Sequence, residues 1–163
     1  MRRSTWLLLT LVAAACGKGE GFTGDPKAGG WSMKEGAVTS DTCKVSALPS
    51  GDGPFTLVFD GAKLTIDPHD GYPVFECSYD RGAFDCPSRL RREVDLERES
   101  GGLLKGVLTL NVAIHGNFTS ATTLTGTEKG DVACTGSGCS AAATFYATSF
   151  PCAVSKAITA KAD

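Results

Sequence analysis

Two dipeptides, Asp60-Gly61 and Arg81-Gly82, each set between runs in which apolar and polar residues alternate, constrain this chain more than any other feature. A two-residue hairpin turn needs positive φ at its centre, which glycine supplies, and it obliges the flanking segments to pair as antiparallel strands. With Asp60-Gly61 as the turn, Phe59 faces Ala62, Leu57 faces Leu64 and Phe55 faces Ile66. These apolar side chains then share one face, and Thr56, Lys63 and Thr65 take the other. With Arg81-Gly82 as the turn, Tyr79 faces Phe84 and Cys77 stands opposite Cys86. Counting out from the turn makes this a non-hydrogen-bonded pair with α-carbons about 4.5 Å apart, within reach of a disulfide.

The rest of the chain repeats the theme. Glycine and proline punctuate it every ten residues or so, and long Ala/Leu/Glu/Lys windows are absent. Residues Leu108, Leu110, Val112 and Ile114 alternate up to Gly116-Asn117, read as a turn; the return segment then puts Phe118 and Leu124 on the wrong face unless a bulge intervenes. With Gly136-Ser137 as a turn, Cys134 faces Cys139 as a second bridged hairpin pair, and Ser140 to Ala160 supplies one or two closing strands. Residues 88–100 read either as a strand, with Leu90, Val94 and Leu96 on one face, or as a short helix capped by Ser88 and ended by Gly101; the strand is preferred. The count is about eight to ten antiparallel strands, an all-β barrel or closed sandwich. Its expected core contains Phe55, Leu57, Phe59, Leu64, Ile66, Phe75, Tyr79, Phe84, Leu108, Leu110 and Val112.

Ahead of this lies a segment of another kind. Arg2 and Arg3 precede an apolar run of about ten residues ending in Ala13, Ala14, Ala15 and Cys16, as in a secretory signal peptide and too short to span a bilayer. Small residues running directly into a cysteine resemble the lipobox of bacterial lipoproteins, although Ala13 stands where that family usually has leucine. The resemblance implies a signal peptide over residues 1–15, cleavage before Cys16, and acylation of that cysteine by diacylglyceryl and palmitate-type chains. Because Gly17 rather than aspartate follows, the family's sorting rule implies the outer membrane. Seven cysteines are an odd number for an oxidising envelope. With Cys16 lipidated, six remain: two pairs come from the hairpins and Cys43–Cys152 by elimination. That last bond requires the first and last strands to be neighbours.

Residues 16–30 are rich in glycine with Phe22 as the one large apolar side chain, and read as a tether holding a single domain, residues 31–163, about 20 Å from the lipid surface. Gly29-Gly30-Trp31 resembles the G-x-W motif that opens lipocalin-like barrels, where the Trp plugs one end. That resemblance implies a carrier of a small apolar ligand.

A formal net charge of -2 and a pI near 5.7 speak against nucleic acid as a partner. Asp67, His69 and Asp70 form a Pro- and Gly-bounded turn without a second ligand cluster, and His115 lies beside the Gly116 turn, so no metal site is expected. No nucleophile elbow, zinc-protease helix or phosphate loop occurs, and no catalytic residue or cofactor is expected. The expectation is a non-catalytic, lipid-anchored binding or interaction module; its partners are the membrane, through the lipid, and an envelope protein or small apolar ligand. A Cys16→Ala precursor should remain uncleaved and leave the membrane fraction, as followed by gel mobility and fractionation. Normal processing and membrane retention would contradict the lipid anchor.

Overall fold

The computed structural model describes residues 21–44 and 51–163; the signal peptide expected over residues 1–15 and Cys16 lie outside them. Eight strands run in chain order around a closed antiparallel barrel: β1 (Gly29–Asp41), β2 (Gly53–Phe59), β3 (Lys63–Asp67), β4 (Phe75–Asp80), β5 (Ala83–Asp95), β6 (Val107–Ser120), β7 (Thr123–Thr135) and β8 (Cys152–Ala162). Two short helices, α1 (Leu96–Glu99) and α2 (Cys139–Phe145), sit in connections at one end. Each strand pairs with the next, and β8 returns to β1 through Trp31↔Ala162, Met33↔Ala160 and Glu35↔Ile158. Where all eight strands run side by side, closure leaves no open sheet edge. The Cys43–Cys152 disulfide, with α-carbons 4.9 Å apart, fastens β8 to the chain just past β1.

The strands are unequal, and this shapes the molecule. β2, β3 and β4 have 7, 5 and 6 residues, whereas β5 to β8 and β1 have 11 to 14. β2 meets β1 only as far as Met33↔Gly53, and β4 meets β5 only over Ser78↔Asp85, Tyr79↔Phe84 and Asp80↔Ala83. One end is therefore a complete ring; toward the other, the five long strands continue past the short ones by about 20 Å at 3.3 Å per residue.

The complete end is filled with aromatic rings. Trp31, wholly buried, stacks on Phe55 at 6.0 Å between centroids and meets Phe118 edge-on at 5.8 Å. Phe84 and Tyr79 lie 5.4 and 5.9 Å from Phe118. The indole Nε1–H donates to Lys27 O at 2.8 Å, so the one polar atom of the plug is satisfied. Lys27 N in turn donates to Ala121 O at 2.8 Å, Tyr79 Oη donates to Gly24 O at 2.5 Å, Pro26 is buried and Phe22 packs on the core. The tether expected over residues 16–30 is thus corrected: from Phe22 on, the chain lies against the closed end, because Phe22 and Pro26 find apolar surface there.

Several registers differ from the sequence reading. In β2–β3, Phe59 pairs with Leu64 and Leu57 with Ile66, two residues from the expected register; the turn residues are Gly61, at φ +91, and Ala62. The Asp60 carboxylate accepts from Lys63 N at 3.0 Å and fixes the shift, and a shift of two keeps every side chain on its face. The Arg81-Gly82 turn stands as read, with φ +47 and +85 and Cys77–Cys86 α-carbons 4.0 Å apart. Gly116-Asn117 is no turn. β6 runs on to Ser120 and turns at Ala121-Thr122, where Ser120 Oγ accepts from Thr122 N at 3.1 Å, and Phe118 pairs with Leu124 on the inner face beside a register shift. Gly116 lies opposite Gly126, and a Cβ on it would come within 2.3 Å of Thr125 O and 3.1 Å of the Phe84 ring. That glycine marks a close approach of backbones.

Residues 88–100 hold both of the forms considered. β5 extends to Asp95, whose carboxylate caps α1 by accepting from Glu97 N at 2.9 Å, so Asp95 and not Ser88 starts the helix. Cys134–Cys139 is a disulfide with α-carbons 5.7 Å apart, but it joins the end of β7 to the start of α2, not two strands of a hairpin. The alanine run at 141–143 favours helix there, leaving β8 as the one closing strand.

Of the expected core, Phe55, Leu57, Leu64, Ile66, Phe75, Phe84 and Val112 are buried, and Phe59, Tyr79, Leu108 and Leu110 are half-buried. Phe118, at 2 % exposure and touching three aromatic neighbours, is a better measure of the core than Phe59. Phe118→Ala should cost about 3–5 kcal/mol in a denaturant melt, and Phe59→Ala distinctly less. Equal costs would contradict this packing.

Candidate ligand pocket at the barrel mouth

Where the short strands stop, the interior opens into a pocket of about 360 Å³. Its floor is the upper surface of the core: Phe55 from β2, Ile66 from β3, Phe75 from β4 and Ile114 from β6, with Met33 of β1 at the side. Its wall is charged, formed by Asp52, His69, Asp70, Arg89, Arg91 and Glu128. Regular alternation would place Cys86 and Arg89 on opposite faces of β5. Both are buried, because the register against β6 shifts between them, at Pro87-Ser88. This bulge turns the arginines inward.

Arg89 is held by a carboxylate, a carbonyl and an aromatic ring. Its guanidinium meets Asp70 through two bonds, Nη2–Oδ2 at 2.6 Å and Nη1–Oδ1 at 3.3 Å; Nη1 also donates to Leu90 O at 3.0 Å, and the carbon centre lies 4.1 Å above the Phe75 ring. Nε, buried, has no hydrogen-bond partner, and the face of Phe75 is the electron-rich surface beside this cation. Partial burial pushes the Asp70 carboxyl up, but bonds from Arg89 and Tyr72 N–H and the charges of Arg89 and Arg91 outweigh it and hold it below its ordinary value.

Farther along β5, Arg91 pairs with Glu128 at 2.7 Å and Lys156 with Glu35 at 2.6 Å, the two pairs lying side by side across β5, β7, β8 and β1. Gly51 fits between the carboxylates: its N–H donates to Glu35 Oε1 at 2.5 Å, and a Cβ there would meet Glu35 Oε1 at 2.5 Å and Glu128 Oε2 at 3.0 Å. Burial raises the proton affinity of Glu128; Arg91 and Lys156 oppose this and the nearby Glu35 charge adds to it, leaving the carboxyl above its ordinary value.

The Asp67–Asp70 segment is a turn, and its three candidate side chains do different things. Asp67 accepts from His69 N at 2.8 Å, His69 Nε2 shares a hydrogen bond with Thr56 Oγ1 at 3.0 Å, and Asp70 turns to Arg89. Among the described residues no group of three or more His, Cys, Asp or Glu gathers as metal ligands would. His115 and Asn117 are exposed on β6. The sequence reading missed Arg89, Arg91, Glu128, Glu35 and Lys156. One sign was available: on the inward parity of β7, Glu128 stands between Gly126 and Gly130, a charge on a core face with room beside it.

A second recess, about 420 Å³, lies between α1 with its following loop and α2, lined by Leu96, Leu103, Leu104, Ala141, Phe145 and Tyr146. No family model, curated protein or solved structure matches the chain.

Because folding raises the proton affinity of Glu128, the folded chain holds more protons than the unfolded one between the ordinary glutamate value of 4.5 and the raised one. Its contribution to stability therefore falls as pH rises through that interval. Asp70 acts oppositely: its contribution is present above its ordinary value of 3.8 and lost as pH falls below that. Urea melts over roughly pH 4 to 7 should show that Glu128→Gln lacks the decline of the parent chain above pH 4.5. A decline that persists unchanged would contradict the assignment.

Proposed function

We propose that this chain is a non-catalytic binding module, carried on a lipidated Cys16 at the outer membrane, that holds a small ligand in the mouth of its barrel. The observation that carries the reading is the pocket of about 360 Å³, in the range of small-molecule sites and built on rigid strands. A filled interior would favour a role through the outer surface alone; here rings fill one end while the other stays open. The floor provides apolar area, and the wall provides donors and acceptors that orient what lies on it. The lipid anchor rests on the lipobox resemblance.

The apolar recess by α2 supports a further partner, an envelope protein, since Leu103 and Phe145 are 84 and 80 % exposed and adjoin one groove. It lies at the end of the barrel opposite Phe22.

N-phenyl-1-naphthylamine, an uncharged fluorophore that brightens in apolar sites, tests the small-ligand reading. The full chain should enhance its emission at micromolar concentration, and Met33→Trp, which places a large ring at the side of the pocket, should cut the enhancement at least five-fold. No enhancement, or one indifferent to Met33→Trp, would overturn the reading.

A further inference from the structure

The wall of the pocket carries six ionisable side chains, yet each already has a partner. Asp70 lies 2.6 Å from Arg89, Glu128 2.7 Å from Arg91, Asp52 3.1 Å from Lys34 and His69 3.3 Å from Asp67. Arg89 and Glu128 are the deepest of these groups, with side chains 8 and 9 % exposed. An ionic ligand would therefore find no waiting counter-ion.

Resting on the small-ligand reading, we propose that the pocket takes an uncharged amphiphile: a compact ring-bearing or branched hydrocarbon body with a neutral hydrogen-bonding head such as a hydroxyl, carbonyl or amide. A carboxylate ligand would have to draw Arg89 from Asp70 or Arg91 from Glu128, stranding a carboxylate in the wall. An ammonium ligand would take Asp70 and strand Arg89. Leaving one member of a buried pair uncompensated costs more than the new contact returns. A neutral head avoids the exchange, because a guanidinium has more N–H donors, and a carboxylate more lone pairs, than one ion pair consumes. The body of such a ligand lies on the Phe55, Ile66, Phe75 and Ile114 floor. The charges thus act as a filter: they make the mouth polar and hydrated, yet they select against ions of either sign.

Three molecules of nearly one shape test this by displacing N-phenyl-1-naphthylamine from the full chain at pH 7: 1-naphthalenemethanol, 1-naphthoate and 1-naphthylmethylamine. The alcohol should compete at least ten-fold better than either ion. Asp70→Asn, at the partly exposed member of the Arg89 pair, removes one negative charge and should reverse the order, with naphthoate gaining at least ten-fold over the parent chain. If the fluorophore does not bind at all, the small-ligand reading fails. If it binds but naphthoate or naphthylmethylamine displaces it as well as the alcohol, if none of the three displaces it, or if Asp70→Asn leaves naphthoate unimproved, that reading stands and the neutral-ligand proposal falls.

Discussion

The pairing of β1 with β8 is the contact on which the rest depends. Without it the sheet is an open ribbon, and neither the aromatic plug nor the pocket has an inside. The pairing joins residues more than a hundred positions apart, so its loop entropy is the largest in the fold. The Cys43–Cys152 bond, spanning 109 positions, offsets that cost by about 4.8 kcal/mol in the chain-entropy picture, which treats the bridge as a constraint on the unfolded chain. Trp31 lies on β1 within the same contact. Its ring packs on Phe55 and Phe118 from elsewhere in the ring of strands, so the side chain that seals the end also ties β1 to β2 and β6.

The interior is divided along its length. Hydrocarbon fills the complete end, and ion pairs occupy the part where β2, β3 and β4 have stopped. Buried ion pairs are poor sources of stability: well-packed apolar groups in their place are often equal or better. A barrel of this size with a purely apolar interior would therefore be at least as stable as this one. Retaining Arg89, Arg91, Glu128, Glu35 and Lys156 inside is a departure from optimal packing, the kind expected where a protein binds something. The bulge at Pro87-Ser88 has the same character, since its effect is to turn two arginines from the outer face to the inner one.

The legibility of the fold in the sequence followed the range of the interactions. Local turn chemistry exposed the Arg81-Gly82 hairpin and the facing Cys77 and Cys86. Parity placed most of the buried side chains even in β2–β3, where the register was two residues off, because a slip of two leaves faces unchanged. Gly116 misled, since a glycine required by close backbone approach and one required by a turn look alike in a single sequence; only its partner Gly126 and the Phe84 ring distinguish them. The charged pocket was hidden for a related reason. One inserted residue in β5 exchanges inside for outside over several positions, and nothing local to Arg89 and Arg91 announces the exchange. Their partners Asp70 and Glu128 lie 19 and 37 positions away.

The central claim is a closed barrel sealed at one end by Trp31, and nuclear Overhauser contacts in the folded chain test it most directly. Cross-strand contacts between Met33 and Ala160, with contacts from the Trp31 indole to the rings of Phe55 and Phe118 and slow exchange of its N–H, are the result this account predicts. A Trp31 N–H that exchanges freely, with no contact between β1 and β8, would contradict it.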